Sequence, residues 1–346
     1  LLIPHMGIRA IFLFTGIILG LLAAIGYTFF PSGGRKKALL INASILVPLI
    51  FGVFASGSKV PAHVVFNQTP FYHQIRVFQS MLPNGDYERT LYLDTTIEGA
   101  QYEKSRELPI AYQRYWELVK IFCPKIKSAA FMGAGAYAMP QSLLDAYPHV
   151  AIDVIEIDPK LVEVGRSFFR LKEYPQIAAL VDDARHYLNT SKKRYDLIFG
   201  DAYNGVRYVP AHLITLEFFE LIKKRLDEKG VYMMNLISAI QGENSNLFLS
   251  VVKTLGLVFD HTYVFALHPN HLTEAQNIII VASGQKLSMH YDFAKMDPNA
   301  RGIKLMLGTY VPPNMYDISK ATVLSDNFNP VEYMVAKSLI KEINGR

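Results

Sequence analysis

The sequence predicts an α/β protein whose centre is a parallel, doubly wound sheet finished by an antiparallel hairpin. A small block of β-strands and two apolar helices are expected ahead of it. Three observations carry this expectation. From residue 128 onward, short apolar strand-like runs alternate with amphipathic helical ones, the pattern that covers both faces of a parallel sheet with helices. A glycine-punctuated turn, "MGAGAYA", follows the first of those strands, and Glu156 closes the second. Two long uncharged apolar runs fill most of residues 1–57.

Of the 346 residues, 51% are hydrophobic and only 19% charged, more apolar than an ordinary soluble domain. The excess lies at the N-terminus. Residues 10–30, "AIFLFTGIILGLLAAIGYTFF", are long enough to cross a hydrocarbon core as a helix, and residues 38–55 give a second run of comparable length. Pro48 kinks that second run, which membrane helices tolerate. Residues 1–57 are therefore expected to form two transmembrane helices, the end of a longer membrane region, followed by a linker at 58–70. Arg35, Lys36 and Lys37 between the spans are balanced by Arg9, Lys59 and Arg76 on the other side, so the positive-inside rule leaves the orientation open. A formal charge of +5, with no basic run interleaved with aromatics, argues against nucleic acid. Cys123 is the single cysteine, which rules out an internal disulfide and a cysteine-based zinc site. His268 and His271 flank Pro269 and Asn270 and read as a solvated loop, so no metal is expected.

Residues 71–107 form the β block. "YHQIRVFQSM" and "RTLYLDTTIE" are rich in strand formers, and "PNGD" between them signals a hairpin turn. A domain over 108–290 opens on "LPIAYQRYWELVKIF", whose apolar residues recur at helical spacing. Strands are expected at "SAAFM", "AIDVIEID", "IAALVDD", "YDLIFGDA" and "VYMMNLI". Helices are expected at "MPQSLLDAY", "PKLVEVGRSFF", "ARHYLNTS", "TLEFFELIKKRLDEKG" and "NSNLFLSVVKTLG". "HTYVFAL" and "QNIIIVAS" are joined by a connection too short for a helix, so they should pair antiparallel at the sheet edge. Residues 291–346 read as a C-terminal extension.

In an open parallel sheet, ligands bind beyond the carboxyl ends of the strands, where strand order reverses. Gly133 and Gly135 stand at such an end, where glycine lets the backbone approach a ligand and adopt torsions a side chain forbids. Glu156 ends the next strand, where a carboxylate can accept hydrogen bonds from both ribose hydroxyls. Asp182 and Asp183 end the third, where an acid can accept from an adenine amino group. This is the pattern of an adenosine-containing ligand, shared by dinucleotide oxidoreductases and enzymes that use S-adenosylmethionine. The edge hairpin, in place of a second nucleotide-binding half, favours the latter. Each acid also has a plainer reading as a helix N-cap. For Asp158, followed by Pro159, the cap is preferred; for Glu156 and Asp183, ligand contact.

With these residues in view, the chain resembles the fused membrane-protein/spermidine-synthase-like group, whose C-terminal half is similar to polyamine aminopropyltransferases. The resemblance runs from residue 72 to residue 283. It rests on "YHQIRVF", "YLDTTIE", "MGAGAYA", "VIEIDP", "VDDARHYL", "YDLIFGDAYNG" and the stretch from "YVPAHLITLEFF" to "MMNLI"; the late "LSDNFNPVEYM" resembles the group's C-terminal signature. It implies a Rossmann-like S-adenosylmethionine-dependent transferase sheet, with decarboxylated S-adenosylmethionine as co-substrate and a polyamine nitrogen attacking its aminopropyl carbon. It implies that Gln74 contacts substrate, that Gly133 and Gly135 line the nucleoside pocket, and that Glu156 holds the ribose and Asp183 the adenine. Asp201 corresponds to the first acid of a D-S-S-D motif.

Three positions depart from the family pattern. Ala136 stands where an acid grips the cofactor amine. Glu98 replaces a glutamine, behind "LDTT" instead of "LDG". Asn204 replaces the second acid, and an asparagine cannot take a proton near neutral pH.

The expectation is therefore a spermidine synthase-like transferase that binds S-adenosylmethionine or its decarboxylated form and moves an aminopropyl or related alkyl group to an amine acceptor. A sulfonium is an activated electrophile, so positioning and charge stabilisation supply much of the rate. Asp201 is the expected amine anchor or base, with Glu98, Tyr112, Tyr203, Asn204 and His212 as substrate contacts. Two alternatives stay open. One is a methyltransferase or lyase acting on intact S-adenosylmethionine, for whose carboxylate Ala136 would leave room. The other is a catalytically inactive, nucleoside-binding regulatory domain of a membrane protein. The catalytic domain is expected on the cytoplasmic side, where the nucleoside is made, and the resemblance is compatible with a homodimer.

Overall fold

The computed structural model describes residues 8–29, 63–70, 72–203, 208–289 and 301–344. The chain divides into two compact units, residues 1–78 and 79–346.

The first unit opens on helix α1 (Ile8–Phe29), 22 residues long. Its side chains are described continuously only from 14 to 23. Among the described residues no helix is long and apolar enough to cross a membrane. The first expected span coincides with α1 and is not borne out as a crossing helix; the second, 38–55, lies outside the described residues. Strand β1 (Val64–Gln68) pairs antiparallel with β2 (Ile75–Met81), with an irregularity between Val64 and Phe66. β2 leads into the second unit.

The second unit begins with the expected "PNGD" turn. Leu82 N donates to Asp86 O at 2.8 Å, and Gly85 takes φ 76°. The stretch read as one strand, "RTLYLDTTIE", is instead a second hairpin. β3 (Tyr87–Leu93) and β4 (Thr96–Tyr102) face each other across Asp94 and Thr95, with Leu93 opposite Thr96. Asp94 sits at φ 53°, a left-handed torsion that short polar side chains tolerate. The segment expected as a plain helix is a 3₁₀ run, Ala111–Leu118, that continues into the short α2 (Val119–Phe122).

The central sheet then follows the expected alternation: β5 (Ser128–Met132), α3 (Ala138–Ala146), β6 (Ala151–Glu156), α4 (Pro159–Phe168), β7 (Ile177–Val181), α5 (Ala184–Thr190), β8 (Tyr195–Gly200), α6 (Leu216–Arg225), β9 (Leu226–Ser238) and α7 (Asn246–Val258). β10 (His261–Ala266) and β11 (Gln276–Ser283) complete the hairpin. The C-terminal residues add α8 (Arg301–Leu307), β12 (Tyr310–Val311) and α9 (Val331–Asn344). Strand order is β12-β10-β11-β9-β8-β5-β6-β7, with β9 through β7 parallel and β11, β10 and β12 antiparallel.

Two expectations need correction. The β10–β11 hairpin forms as predicted, but β12 pairs outside it, through Val264 opposite Val311, so the hairpin is not the edge. Helix α6 ends at Arg225 rather than Gly230, because Leu226 turns extended to pair with Tyr195. The register then slips, and the next ladder partners are Leu197 and Val231.

Successive residues of each strand feed two apolar cores. On β8, Ile198 belongs to the core of Phe218, Phe219 and Phe248, whereas its neighbours Leu197 and Phe199 belong to that of Trp116, Phe131 and Leu143. This alternation is the two-sided burial that a parallel sheet requires. Leu324, Val331 and Val335 from the C-terminal residues join the first core. The chain runs from β5 outward through β6 and β7, then returns to β8 on the other side. The carboxyl ends of β5 and β8 thus meet at the point where strand order reverses, and Asp201 N donates to Met132 O at 2.9 Å there.

Candidate active site

The glycine turn after β5 is shaped by the protein's own backbone. Gly133 and Gly135 have φ of 94° and 47°. A Cβ on Gly133 would strike the carbonyl oxygen of Asp201, and one on Gly135 would lie 2.7 Å from the carbonyl oxygen of Glu98. Both glycines are explained by close approach of two neighbouring chain segments, those that carry the two acids at the mouth of the site. Tyr137, also left-handed at φ 57°, leads into α3.

Ala136 is closed in. It is 1% exposed, its carbonyl accepts from Gln101 Nε2 at 2.8 Å, and a Cβ on Gly99 would meet its methyl group at 2.7 Å. The room expected there for a ligand carboxylate is absent. Gln101 is held in turn by Gln141 and Arg170, a buried polar network that ties β4 to the glycine turn.

Glu156 is buried at the end of β6. Its two oxygens accept from Ala134 N at 3.0 Å and Asp158 N at 2.9 Å. Burial pushes its carboxyl up, and these backbone hydrogen bonds pull against that. Spare lone pairs leave it able to accept a hydroxyl as well. Asp158 caps α4 as expected, accepting from Lys160 N at 2.8 Å with Pro159 in the first turn. Asp183 both caps α5, accepting from His186 N at 2.9 Å, and meets His212 Nε2 at 2.8 Å. Burial works against its charge, but the His186 backbone and the His212 ring outweigh it and hold the carboxyl below its usual range. Two large apolar side chains missed in the sequence stand exposed beside these acids, Ile157 at 46% and Val181 at 53%. An apolar residue left uncovered at a strand end was the available signal.

A second group surrounds a cavity of about 360 Å³, lined by Thr96, Ile97, Glu98, Ile110, Tyr112, Asp201, Tyr203, Asn235, Ile237 and Asn277. Asp201 follows β8 directly and is partly buried. Tyr112 OH donates to its Oδ2 at 3.0 Å and Asn235 Nδ2 to its Oδ1 at 2.9 Å. Asn277 Nδ2 donates to Asn235 Oδ1 at 3.0 Å. A carboxylate can only accept, so it fixes the orientation of both amides in the chain Asn277 to Asn235 to Asp201. Burial raises the Asp201 carboxyl to about 6, against the opposing pull of Asn235 and Tyr112. Tyr112 and Tyr203 are pushed well above the ordinary tyrosine range, first by burial and then by Asp201, so both remain neutral donors. Tyr203 OH bridges two backbone groups of β9, donating to Asn235 O and accepting from Ile237 N, each at 3.0 Å.

The expected site residues thus separate. Glu98, Tyr112, Asp201 and Tyr203 share the cavity. Gly133, Gly135 and Glu156 build the turn. Asp183 and His212 contact each other and do not line that cavity. Gln74 belongs to the first unit, where it donates to Asn67 Oδ1 at 2.9 Å. Asn204 lies outside the described residues. Asn235 and Asn277 were not anticipated, although each is a lone polar residue inside an apolar strand run, "YMMNLI" and "QNIII". Among the described residues no group of three or more His, Cys, Asp or Glu is placed to hold a metal ion.

Comparison with known proteins gives this geometry a context. Residues 142–292 match the model for the spermine/spermidine synthase domain. A polyamine aminopropyltransferase from Vibrio vulnificus is 26% identical over 229 residues, 64% of this chain and 73% of that protein. The crystal structure of a probable spermidine synthase from Corynebacterium glutamicum superposes with a TM-score of 0.64 at 20% identity, covering 78% of this chain and 98% of that one. A spermidine synthase in complex with the transition-state analogue AdoDATO superposes with a TM-score of 0.53 at 18% identity, covering 73% and 85%. The α/β Rossmann-like fold is common to these structures. Residues 142–292 are thus similar to the spermine/spermidine synthase domain, and the names of the relatives support a transferase.

Proposed function

We propose that the protein transfers an aminopropyl group from decarboxylated S-adenosylmethionine to an amine bound beside Asp201. The observation that carries this reading is a carboxylate poised near 6, held by Tyr112 and Asn235 at the wall of a cavity that also contains Glu98. Two acids and three isoleucines in one cavity favour a cationic amine whose alkyl portion lies against Ile97, Ile110 and Ile237.

In the reaction, the amine lone pair attacks the aminopropyl carbon and a C–N bond forms. The C–S bond breaks, and its electron pair leaves with sulfur as methylthioadenosine. The proton lost from nitrogen passes to Asp201. With its carboxyl raised by burial to about 6, Asp201 is still mostly ionised at pH 7 and is a stronger proton acceptor than an exposed carboxylate. Glu98 supplies a second negative charge for the ammonium form of the acceptor. The adenosine end is assigned to Glu156 for the ribose and to the Asp183 rim for the adenine, with Ile157 and Val181 offering apolar faces to the ring.

The absence of room at Ala136 favours the decarboxylated donor over the intact one, whose carboxylate would need a place there. The analogue-bound relative shares the fold and supports the same choice. Membrane attachment through residues 10–30, with this domain on the cytoplasmic face, is part of the proposal. It rests on their uncharged apolar run, and resistance of the full chain to alkaline carbonate extraction would support it.

The deciding experiment incubates the protein with labelled decarboxylated and intact S-adenosylmethionine and a panel of mono- and diamines. Methylthioadenosine together with an aminopropylated amine is the expected result. S-adenosylhomocysteine would replace this reading with methyl transfer, and binding without product would replace it with a regulatory role.

A further inference from the structure

The late motif "LSDNFNPVEYM" takes no part in the reaction just described, yet it is held in place with care. Leu324 is fully buried; its carbonyl accepts from Leu216 N at 2.8 Å and its N–H donates to Thr254 Oγ1 at 3.0 Å. Beyond it, Ser325 and Phe328 exchange backbone hydrogen bonds of 3.0 and 3.1 Å, which closes a tight turn. At its tip the Asp326 carboxylate receives both terminal nitrogens of Arg185, at 2.7 and 2.5 Å, and the Asp326 N–H donates to Glu217 Oε2 at 2.9 Å. Two-point Arg–carboxylate contact fixes orientation as well as distance.

Both ends of this turn act on one short stretch of chain. Arg185 Nη1, besides holding Asp326, donates to the carbonyl oxygen of His212 at 3.2 Å. Asn329 Nδ2 donates to the carbonyl oxygen of Ala211 at 2.7 Å, and Asn329 Oδ1 is itself fixed by Val331 N at 3.2 Å. Two consecutive carbonyls of the turn Ala211–Leu213 are therefore pinned, one directly and one through Arg185. The side chain between them, His212, reaches Asp183 at 2.8 Å. The turn that carries His212 is seated by buried Val209, Leu213 and Ile214, and the strap contacts pin its carbonyls in addition.

We infer that residues 325–330 form a strap whose Asp326 and Asn329 are positioning residues, holding His212 against Asp183 so that the Asp183 rim is shaped to receive adenosine. The inference rests on the nucleoside assignment made above, and its reach is confined to that end of the site. Asp201 and the amine cavity share no hydrogen bond with the strap among the described residues.

The test is a double variant, Asp326→Asn with Asn329→Ala, in the full chain. Both substitutions lie on the strap and leave Arg185, His212 and Asp183 intact. Two readouts are needed: the His212 ring signals by NMR, and the Kd for methylthioadenosine by calorimetry. In the variant the His212 Nε2 signal should move toward its solvent-exposed position, and the Kd for methylthioadenosine should weaken about tenfold, while the KM for the amine stays within twofold. The single variant Asp326→Glu, which restores the charge, should recover part of the affinity. Unchanged His212 signals in a folded double variant would overturn the inference, as would nucleoside and amine affinities falling in step. If the unaltered protein binds no adenosine-bearing ligand but the His212 signals still respond, the proposed function fails while the strap remains the device that places His212.

Discussion

The two ends of the site are built on opposite principles. At the glycine turn the contacts are mostly with backbone: Glu156 accepts from the N–H groups of Ala134 and Asp158, with lone pairs to spare, and both glycines are demanded by carbonyls of Asp201 and Glu98. Burial raises both carboxyls; at Asp201, where the partners are the side chains of Tyr112 and Asn235, it carries the group to about 6. A group satisfied by the backbone is explained by folding. A group held in an environment that disfavours its charge marks the place where chemistry is to be sought. Substitutions at the two glycines should therefore damage stability, and at Asp201 activity.

The largest expected effect is on turnover. Asp201→Asn keeps the shape of the side chain but cannot accept a proton, and aminopropyl transfer should fall by about 10²–10³. The same change should raise the melting temperature. A carboxyl at about 6 when folded and near 3.8 when unfolded binds more protons in the native state between those values. The native protein thus loses stability as pH rises from 3.8 to 6, and at pH 7 the charged side chain is a net cost. Removing it should raise Tm by about 2–4 °C. A variant that loses activity and stability together would break the contrast between the two ends.

Next in size is Gly133→Ala. A side chain there must adopt a left-handed torsion and displace the Asp201 carbonyl, so thermal or denaturant unfolding should show a loss of at least about 2 kcal/mol. Survival of this variant with normal stability would mean that the turn is not set by the backbone contact. Smaller still is Asn235→Leu, which removes one donor from the Asp201 carboxylate. The acid limb of the kcat/KM profile should move upward from about 6 by on the order of one pH unit. Asn277→Leu acts one bond further out, freeing the Asn235 amide to turn. Its shift should have the same sign and be smaller. A larger shift for Asn277→Leu than for Asn235→Leu would contradict the direction of the amide chain.

Much of the fold was legible because the parallel core writes itself as alternating apolar strands and amphipathic helices, and Asp158 marks a helix start by its side chain. The misread places share a cause. At Asp94 a two-residue reversal was hidden by uniformly strand-forming neighbours, and at Leu226 a helix-forming charge run gave way to ladder pairing with Tyr195. In both, tertiary contacts overrode local preference. For the site, the sequence pointed to Asp201, Tyr112 and Glu98 as neighbours but could not join Asn235 to Asn277, which are 42 positions apart and meet only because β9 and β11 pair antiparallel. Nor did it link His212 to Asp183.

One further consequence follows from β12. It is only two residues long, yet it is the outermost strand on its side, and it seats on β10 at Val264 and Phe265. A fragment ending before residue 301 would uncover the outer margin of β10 at Val264 and Phe265, over apolar side chains. Such a margin recruits strands from other molecules, so shortened forms should come out of solution as β-rich aggregates, whereas a stub two residues long gives incoming chains almost nothing to grip.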